Sequence, residues 1–155
     1  MNRAGVTGIA QRIAARRTER KVGLLNLAKS VGITIPWARD LEADDSEVPM
    51  TLSLGQVCRL AESLSVAPRA LVCGDVCPTT IAAVTPKTVV EAIKAHLSNN
   101  QLTVEQFGDA VGWDVQSVIG DASRIWPDWN LDQAHDVCEA LGIDWRGLLP
   151  ASIAD

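Results

Sequence analysis

Four cysteines and two histidines are the side chains of this 155-residue chain that most readily ligate zinc. A zinc site usually needs two ligand pairs, each at close spacing. Cys73 and Cys77 stand four residues apart, but no second pair follows them. The favoured interpretation is free thiols in a reduced cytoplasm, and a Cys73–Cys77 disulfide is the minor alternative. We therefore predict no bound metal and no cofactor.

No short motif supplies the acids, bases and nucleophiles that an active site gathers in one pocket. The sequence contains no tyrosine, no glycine-rich phosphate loop and no nucleophile elbow, so we predict that the protein is not an enzyme. Hydrophobic residues make up 47% of the chain, which is enough for a folded core. No stretch approaches the ~20 apolar residues of a membrane span, and no secretory signal is present, so we expect a cytoplasmic protein without membrane contact.

Positive charge is concentrated at the start of the chain. The net charge is −5, from 14 basic and 19 acidic residues. Residues 1–39 have a net charge of +7, whereas residues 40–155 have a net charge of −12. A basic segment could contact phosphates, which an acidic remainder would repel. Alternatively, the basic segment only balances acidic neighbours within the molecule, and charge alone does not separate the two interpretations.

An internal repeat indicates the elements that must position these charges. Residues 61–72 align with residues 138–149 at an offset of 77, and residues 27–32 align with residues 107–112 at an offset of 80. Both copies place apolar residues at helical spacing, and no segment predicts a strand. The three-residue change of offset falls in the predicted loop 43–51, where an insertion is tolerated.

The pattern predicts an all-α protein made of two tandem five-helix units. The first unit occupies residues 1–73 and the second residues 87–155, and the proline-containing linker 74–86 predicts that they pack together or hold a preferred angle. The helices predicted for the first unit span residues 6–20, 23–31, 34–42, 53–64 and 68–72. Those predicted for the second unit span residues 86–98, 103–111, 114–122, 130–141 and 145–149.

This order of elements resembles the helix-turn-helix domain of phage repressor and Cro proteins, the Xre or lambda-repressor-like family. In the first unit the residues that carry the resemblance are Leu27, Ala28, Gly32, Leu41, Glu42, Leu64, Val66 and Leu71. In the second unit they are Gly112, Val118, Leu141, Gly142, Ile143, Leu148 and Leu149. The resemblance covers residues 8–72 closely and residues 87–149 more loosely.

The resemblance also implies one structural ion pair. In this family an arginine late in the first helix often pairs with the glutamate that ends the third helix. Arg17 and Glu42 occupy these positions, and a bidentate Arg–carboxylate pair between them would fix the two helices geometrically. The matching positions in the second unit are Leu97 and Ala122, so both charges are absent there together.

The family reads DNA by placing the start of the third helix in the major groove, so the resemblance implies a DNA-binding transcription regulator. The DNA-contacting residues that it implies, with Lys29 in support, are Arg12, Arg16, Arg20, Lys21, Thr34, Ile35, Pro36 and Arg39. The third helix is nevertheless a poor reader, because Ile35 and Pro36 offer no hydrogen-bonding side chain and Asp40 would face a polyanion. In the second unit Gln116 could bind adenine, but acidic residues flank it.

A second hypothesis is a protein-interaction module that kept the helix-turn-helix fold and lost base readout, as in an antitoxin, an immunity protein or an anti-activator. Ile35, Pro36 and Trp37 would then contact a protein partner. Trp126 and Trp129, in the predicted loop after the third helix of the second unit, could form a homodimer contact, a seam between units or a local core. We favour the DNA-binding regulator, because dimerisation can compensate for weak base reading.

Overall fold

A computed structural model describes residues 3–74 and 80–153 of the chain. Within these ranges the protein is helical and contains no strand, so the all-α prediction is confirmed. The helices of the first half are α1 (Ile9–Glu19), α2 (Leu24–Val31), α3 (Ile35–Ala43), α4 (Glu47–Thr51), α5 (Leu54–Ser63) and α6 (Pro68–Cys73). Those of the second half are α7 (Pro86–Asn100), α8 (Val104–Val111), α9 (Gln116–Gly120), α10 (Ile125–Asp128) and α11 (Leu131–Ala140), with 3-10 turns at Ala122–Arg124 and Trp145–Leu148.

Two short helices lie in segments for which the sequence predicts loops. The first half has six helices rather than five, because α4 forms within the predicted loop 43–51. In the second half α10 forms after α9, which spans five residues instead of the predicted nine at 114–122. Single-turn helices are too short to show an apolar period. Burial stabilises them instead, since α4 buries Val48 and Pro49 and α10 buries Ile125.

Side-chain caps and left-handed residues set the helix ends. Ser53 begins α5 and Thr103 begins α8, each with a capping box completed by the glutamine three residues later. Gly32 and Gly112 end α2 and α8, both with φ of 81°, a backbone conformation that glycine adopts without strain. Thr34 then caps α3, whose first turn accommodates Pro36. These signals place α2 and α3 within one or two residues of their predicted bounds.

The two halves repeat each other in local structure as well as in sequence. Three pairs of equivalent positions have a left-handed backbone in both halves: Lys21 and Gln101 (φ 55° and 54°), Gly32 and Gly112 (both 81°), and Ser65 and Gly142 (53° and 70°). Asp44 accepts hydrogen bonds from the amide and hydroxyl of Ser46, and Asp121 accepts the same two bonds from Ser123. The offset is therefore already 77 at Asp44, and the residues missing from the second half come from the last turn of the third helix.

A seam joins the two halves by pairing equivalent residues. Ser53 and Asn130, which are equivalent at the offset of 77, form an isolated antiparallel bridge. Beside it, the amide of Leu54 donates to the carbonyl of Trp129 at 2.8 Å. Arg69 Nε also donates to the carbonyl of its own equivalent, Arg146, at 3.2 Å. This reciprocal pairing, with α4 against α11 and α10 against α5, is the geometry of a two-fold dimer interface formed inside one chain.

The hydrophobic core is continuous across this seam. Leu52, Leu54 and Leu131 are fully buried there, and Trp129 is 1% exposed. The ring of Trp129 therefore belongs to the seam between the halves and does not reach the surface where a partner subunit would bind. Trp126 is half-buried and packs against the same core.

Two segments outside the helices also tie the halves together. At the N-terminus, the amide of Ala4 donates to Asp132 at 2.9 Å. In the predicted linker 74–86, the amide of Val84 donates to the carbonyl of Gly147 at 2.9 Å. Residues 75–79, and with them Cys77, lie outside the described residues, so the alternative of a Cys73–Cys77 disulfide stays a prediction.

Gly147 lies where the linker approaches the second half most closely. A Cβ atom there would lie 2.3 Å from the carbonyl oxygen of Ala82 and 2.6 Å from Cγ2 of Val84. We expect Gly147→Ala to lower the free energy of unfolding by about 1–3 kcal/mol, because backbone must move to accommodate the methyl group. Urea denaturation followed by tryptophan fluorescence measures this. The control is Gly120→Ala, where nothing lies within 4 Å of the added atom; equal midpoints for the two variants would contradict the packing described.

Candidate functional site

The outer faces of α2 and α3 present part of the set that the resemblance assigns to DNA, namely Lys29, Ile35, Pro36 and Arg39. The other cations of the set are on α1 or directly after it. α2 buries Leu27, Ala28 and Val31, and α3 buries Ala38 and Leu41. The exposed residues of these two helices are Leu25, Asn26, Lys29, Ser30, Ile35, Pro36, Arg39, Asp40 and Ala43. The exposed surface therefore has both apolar and cationic groups.

Two of the arginines assigned to DNA are engaged within the protein. Arg12 donates from Nε to the carbonyl of Leu71 and from Nη2 to the carbonyl of Val72, both at 2.7 Å. These bonds satisfy carbonyls at the C-terminal end of α6. Arg16 donates to the carbonyl of Ser65 at 3.0 Å and pairs with Glu19 at 2.9 Å. Both arginines hold α1 against the end of the first half, a role that charge counting does not reveal.

Four cations on or immediately after α1, α2 and α3 are exposed: Arg20, Lys21, Lys29 and Arg39. None of them is in an ion pair with a residue in the described ranges. Arg20 and Lys21 follow α1, Lys29 is on α2 and Arg39 is on α3. We call this set the basic face. It is the part of the first half that could contact an anionic partner without breaking an internal bond.

The structure brings Arg17 and Glu42 together between α1 and α3. Arg17 donates to both carboxylate oxygens of Glu42, from Nε to Oε1 and from Nη2 to Oε2, and also to the carbonyl of Val22. Hydrogen bonding to Glu42 raises the pKa of Arg17, against the opposing effect of burial. The pair is only partly exposed, 23% for the Arg17 side chain and 15% for Glu42, and it fixes α3 relative to α1.

Thr34 and Trp37 connect the start of α3 to its surroundings. The hydroxyl oxygen of Thr34 accepts the amide of Trp37 at 3.3 Å, as an N-cap. The indole of Trp37 donates to the hydroxyl of Thr51 at 3.1 Å, which holds α3 beside α4. Trp37 is half-buried, whereas Ile35 is 37% exposed and Met50, the neighbour of Thr51, is 44% exposed.

The corresponding surface of the second half is acidic. α8 and α9 contain no lysine or arginine. The open groove between them, about 590 Å³, is lined by Glu105, Asp109 and Asp114. Beyond α9, hydrogen bonds from Ser123 lower the pKa of Asp121, which stays anionic at neutral pH. Two nearby cations are both in ion pairs. Arg124 is paired with Asp128 at 2.9 Å, and Arg3, which lies over the ring of Trp113, is paired with Asp136 at 2.8 Å.

A half-buried polar centre that the sequence patterns do not predict lies at Asp136. This carboxylate accepts hydrogen bonds from Trp113 Nε1 and Arg3 Nη1, both at 2.8 Å, and contacts His135 Nδ1 at 3.0 Å. Burial favours a higher pKa for Asp136, but the hydrogen bonds from Trp113, Arg3 and His135 outweigh it and lower the pKa. Arg3 thereby anchors the N-terminal segment to the second half. No local motif marks this centre, since its members are far apart in sequence.

The Arg17–Glu42 pair predicts a specific loss of stability. Arg17→Ala would leave a largely buried carboxylate without its partner, so we expect the free energy of unfolding to fall by about 2 kcal/mol, between the values for exposed and fully buried pairs. Urea denaturation is the measurement. Arg20→Ala is the matched control, because Arg20 is exposed and outside any described ion pair. Equal unfolding midpoints for the two variants would show that the pair contributes nothing.

Asp136 predicts a pH dependence of stability. Because its pKa is lower in the folded state, its stabilisation is fully present above the ordinary carboxyl value of 3.8 and is lost as pH falls through the lower, folded pKa. We expect Asp136→Asn to be less stable than the parent by about 2 kcal/mol at pH 7. The difference should shrink below pH 3.8. A difference that stays constant between pH 7 and the acid limit would contradict this account.

Among the described residues, no cluster of His, Cys, Asp and Glu could hold a metal ion. No helix within those residues is both long and apolar enough to cross a membrane. Comparison with known proteins adds no relative to this picture. No protein-family model matches the chain, no curated protein matches it, and no solved structure matches it.

Proposed function

We propose that the protein is a DNA-binding transcription regulator built from two tandem lambda-repressor-like helix-turn-helix units, and that only the first unit contacts DNA. The observation that carries the proposal is the contrast between the two surfaces. The first unit has a basic face whose four cations are exposed, whereas the equivalent surface of the second unit is acidic. Phosphates attract the first and are repelled by the second.

The second unit would take the place of a dimer partner. Helix-turn-helix dimers place two recognition helices on two half-sites about one DNA turn apart. In this chain the seam pairs equivalent residues as such a dimer does, but α9 is reduced to five residues and flanked by carboxylates. The proposal therefore gives the protein one half-site, with the second unit supporting the first.

The residues of the first unit that the resemblance assigns to DNA then divide into three roles: phosphate contact, base contact and support of the fold. Lys29, Arg39, Arg20 and Lys21 contact phosphates. The hydroxyl of Thr34, whose oxygen caps α3, is free to donate to a phosphate oxygen. Ile35 and Pro36 contact base edges through apolar surface, for which the thymine methyl group is the natural partner. Arg12 and Arg16 are assigned to the fold.

The proposal predicts the salt dependence of binding. Four phosphate contacts give a slope of log affinity against log salt of roughly −3 to −4. Fluorescence anisotropy with random-sequence and genomic duplexes at low salt measures it. Arg39→Glu and Lys29→Glu should each weaken binding and lower the salt slope, and Asp40→Lys should strengthen binding.

Lys94→Glu is the matched control, because Lys94 is an exposed lysine on α7. It should leave DNA binding unchanged. If no duplex binds within the roughly 1–100 µM range of ordinary non-specific affinity, the DNA-binding proposal fails. It also fails if Lys94→Glu weakens binding as much as Arg39→Glu, since attraction would then be a property of the whole molecule.

A further inference from the structure

We propose that the outer face of α2, α3 and α4 also binds an acidic protein segment with apolar anchors, in the manner of an amphipathic helix whose large apolar side chains are flanked by Glu and Asp. We call this face the anchor surface and define it by Leu25, Ile35, Trp37 and Met50. It shares Lys29 and Arg39 with the basic face, so such a segment and DNA would exclude each other. The proposal does not rest on DNA binding.

Apolar exposure is concentrated on this surface. Among the described residues, four large hydrophobic side chains are exposed: Leu25 (51%), Ile35 (37%), Met50 (44%) and Ile153 (50%). Three of them are on the anchor surface, and the fourth is in the C-terminal tail. The half-buried indole of Trp37, two residues after Ile35, is held against α4 by its bond to Thr51, the neighbour of Met50. Grouped exposed apolar side chains on a folded protein are typical of an interaction site, whereas single ones are ordinary.

The second half shows that the fold does not require these side chains. At the positions equivalent to Leu25 and Trp37 it has the polar residues Glu105 and Ser117. At the position of Ile35 it has Val115, which is fully buried. The second half therefore forms α8 and the shorter α9 without exposed large apolar groups at these three positions, so Leu25, Ile35 and Trp37 distinguish the surface of the first half.

Charge complementarity selects an acidic ligand. Lys29 follows Leu25 by four residues on α2, and Arg39 follows Ile35 by four residues on α3. Residues four apart lie on one face of a helix, so Leu25 and Ile35 each have a cation one turn away, whereas Met50 on α4 follows Glu47 by three residues. Asp40 is the one exposed carboxylate on α3. A ligand with a central apolar row and carboxylates along its sides would fill both features, as in recognition of a helix by its apolar anchors.

DNA alone does not account for this surface. A duplex offers phosphates to the cations, but its apolar groups in the major groove are limited to thymine methyls. Leu25, Met50 and the edge of Trp37 lie on three different helices, and together they need a larger apolar counterpart. A protein segment supplies one, because burying large side chains at the centre of an interface provides most of its binding energy.

The test uses the full chain and a fluorescein-labelled helical peptide of about 20 residues, with Leu and Trp at positions i, i+3, i+4 and i+7 and Glu elsewhere. Fluorescence anisotropy should show saturable binding. Ile35→Ser and Met50→Ser should each weaken it roughly tenfold, the effect of truncating an anchor. Ile153→Ser, which changes the exposed hydrophobic residue outside the surface, should leave affinity unchanged. Circular dichroism confirms that each variant is folded.

Two comparison peptides make the proposal falsifiable. A peptide with Lys in place of Glu should not bind, and a peptide with the same composition but scrambled apolar spacing should bind at least tenfold more weakly. The proposal is overturned if the acidic peptide does not bind, if the Lys peptide binds as well, or if Ile35→Ser and Met50→Ser act no differently from Ile153→Ser.

Parallel DNA titrations separate this proposal from the proposed function. Arg39→Glu should reduce binding of both the peptide and DNA, whereas Met50→Ser should reduce binding of the peptide only. Loss of peptide binding with DNA binding intact would overturn the anchor surface and leave the regulator standing. Peptide binding without DNA binding would overturn the proposed regulator and leave the anchor surface standing. If both ligands bind, unlabelled peptide should displace DNA.

Discussion

The contact on which the rest of the structure depends is the seam where Leu54 donates its amide to the carbonyl of Trp129. Around this bond Ser53 and Asn130 pair as equivalents, and the side chains of Leu52, Leu54, Trp129 and Leu131 close one core from both sides. α4 and α10 exist because this seam buries them, since neither is long enough to be stable alone. Because the core and the seam bury the inner faces of the helices, the outer faces of α2 and α3 are left exposed to solvent.

Much of the fold follows from local sequence signals, and the site follows only in part. Periodicity, the caps Thr34 and Ser53 and the left-handed Gly32 fix α2, α3 and α5 closely, because their causes lie within a few residues. Periodicity and caps do not predict α4 and α10, because burial against the other half stabilises these two helices. The contact of Arg17 with Glu42 is predicted only by the resemblance to the phage repressor family. The internal bonds of Arg12 and Arg16 could not be predicted, since their acceptors are backbone carbonyls, which have no signature in the sequence.

The repeat acts as an internal comparison of two sequences on one arrangement of helices. Positions that agree, such as Lys21 with Gln101 in a left-handed turn, report what the backbone needs. Positions that differ on the surface report what each half does. Lys29 is matched by Asp109 and Leu25 by Glu105, so the exposed chemistry reversed while the packing was kept. The net positive charge of the first 39 residues is therefore partly structural, through Arg12, Arg16 and Arg17, and partly available to a partner, through the basic face.

Because the two halves belong to one chain, their pairing does not depend on the concentration of the protein as the pairing of separate subunits does. Two separate subunits associate at a rate set by their concentration, and the fraction of subunits that are dimeric falls as that concentration falls. Here the linker keeps each half at a high effective concentration near the other. The concentration of the paired form is thus directly proportional to the concentration of the chain. For a dimer of separate subunits at low concentration, it would rise with the square of the subunit concentration. The basic face and the anchor surface, which we propose as binding sites, would therefore increase in direct proportion to synthesis of the protein, even when only a few copies are present.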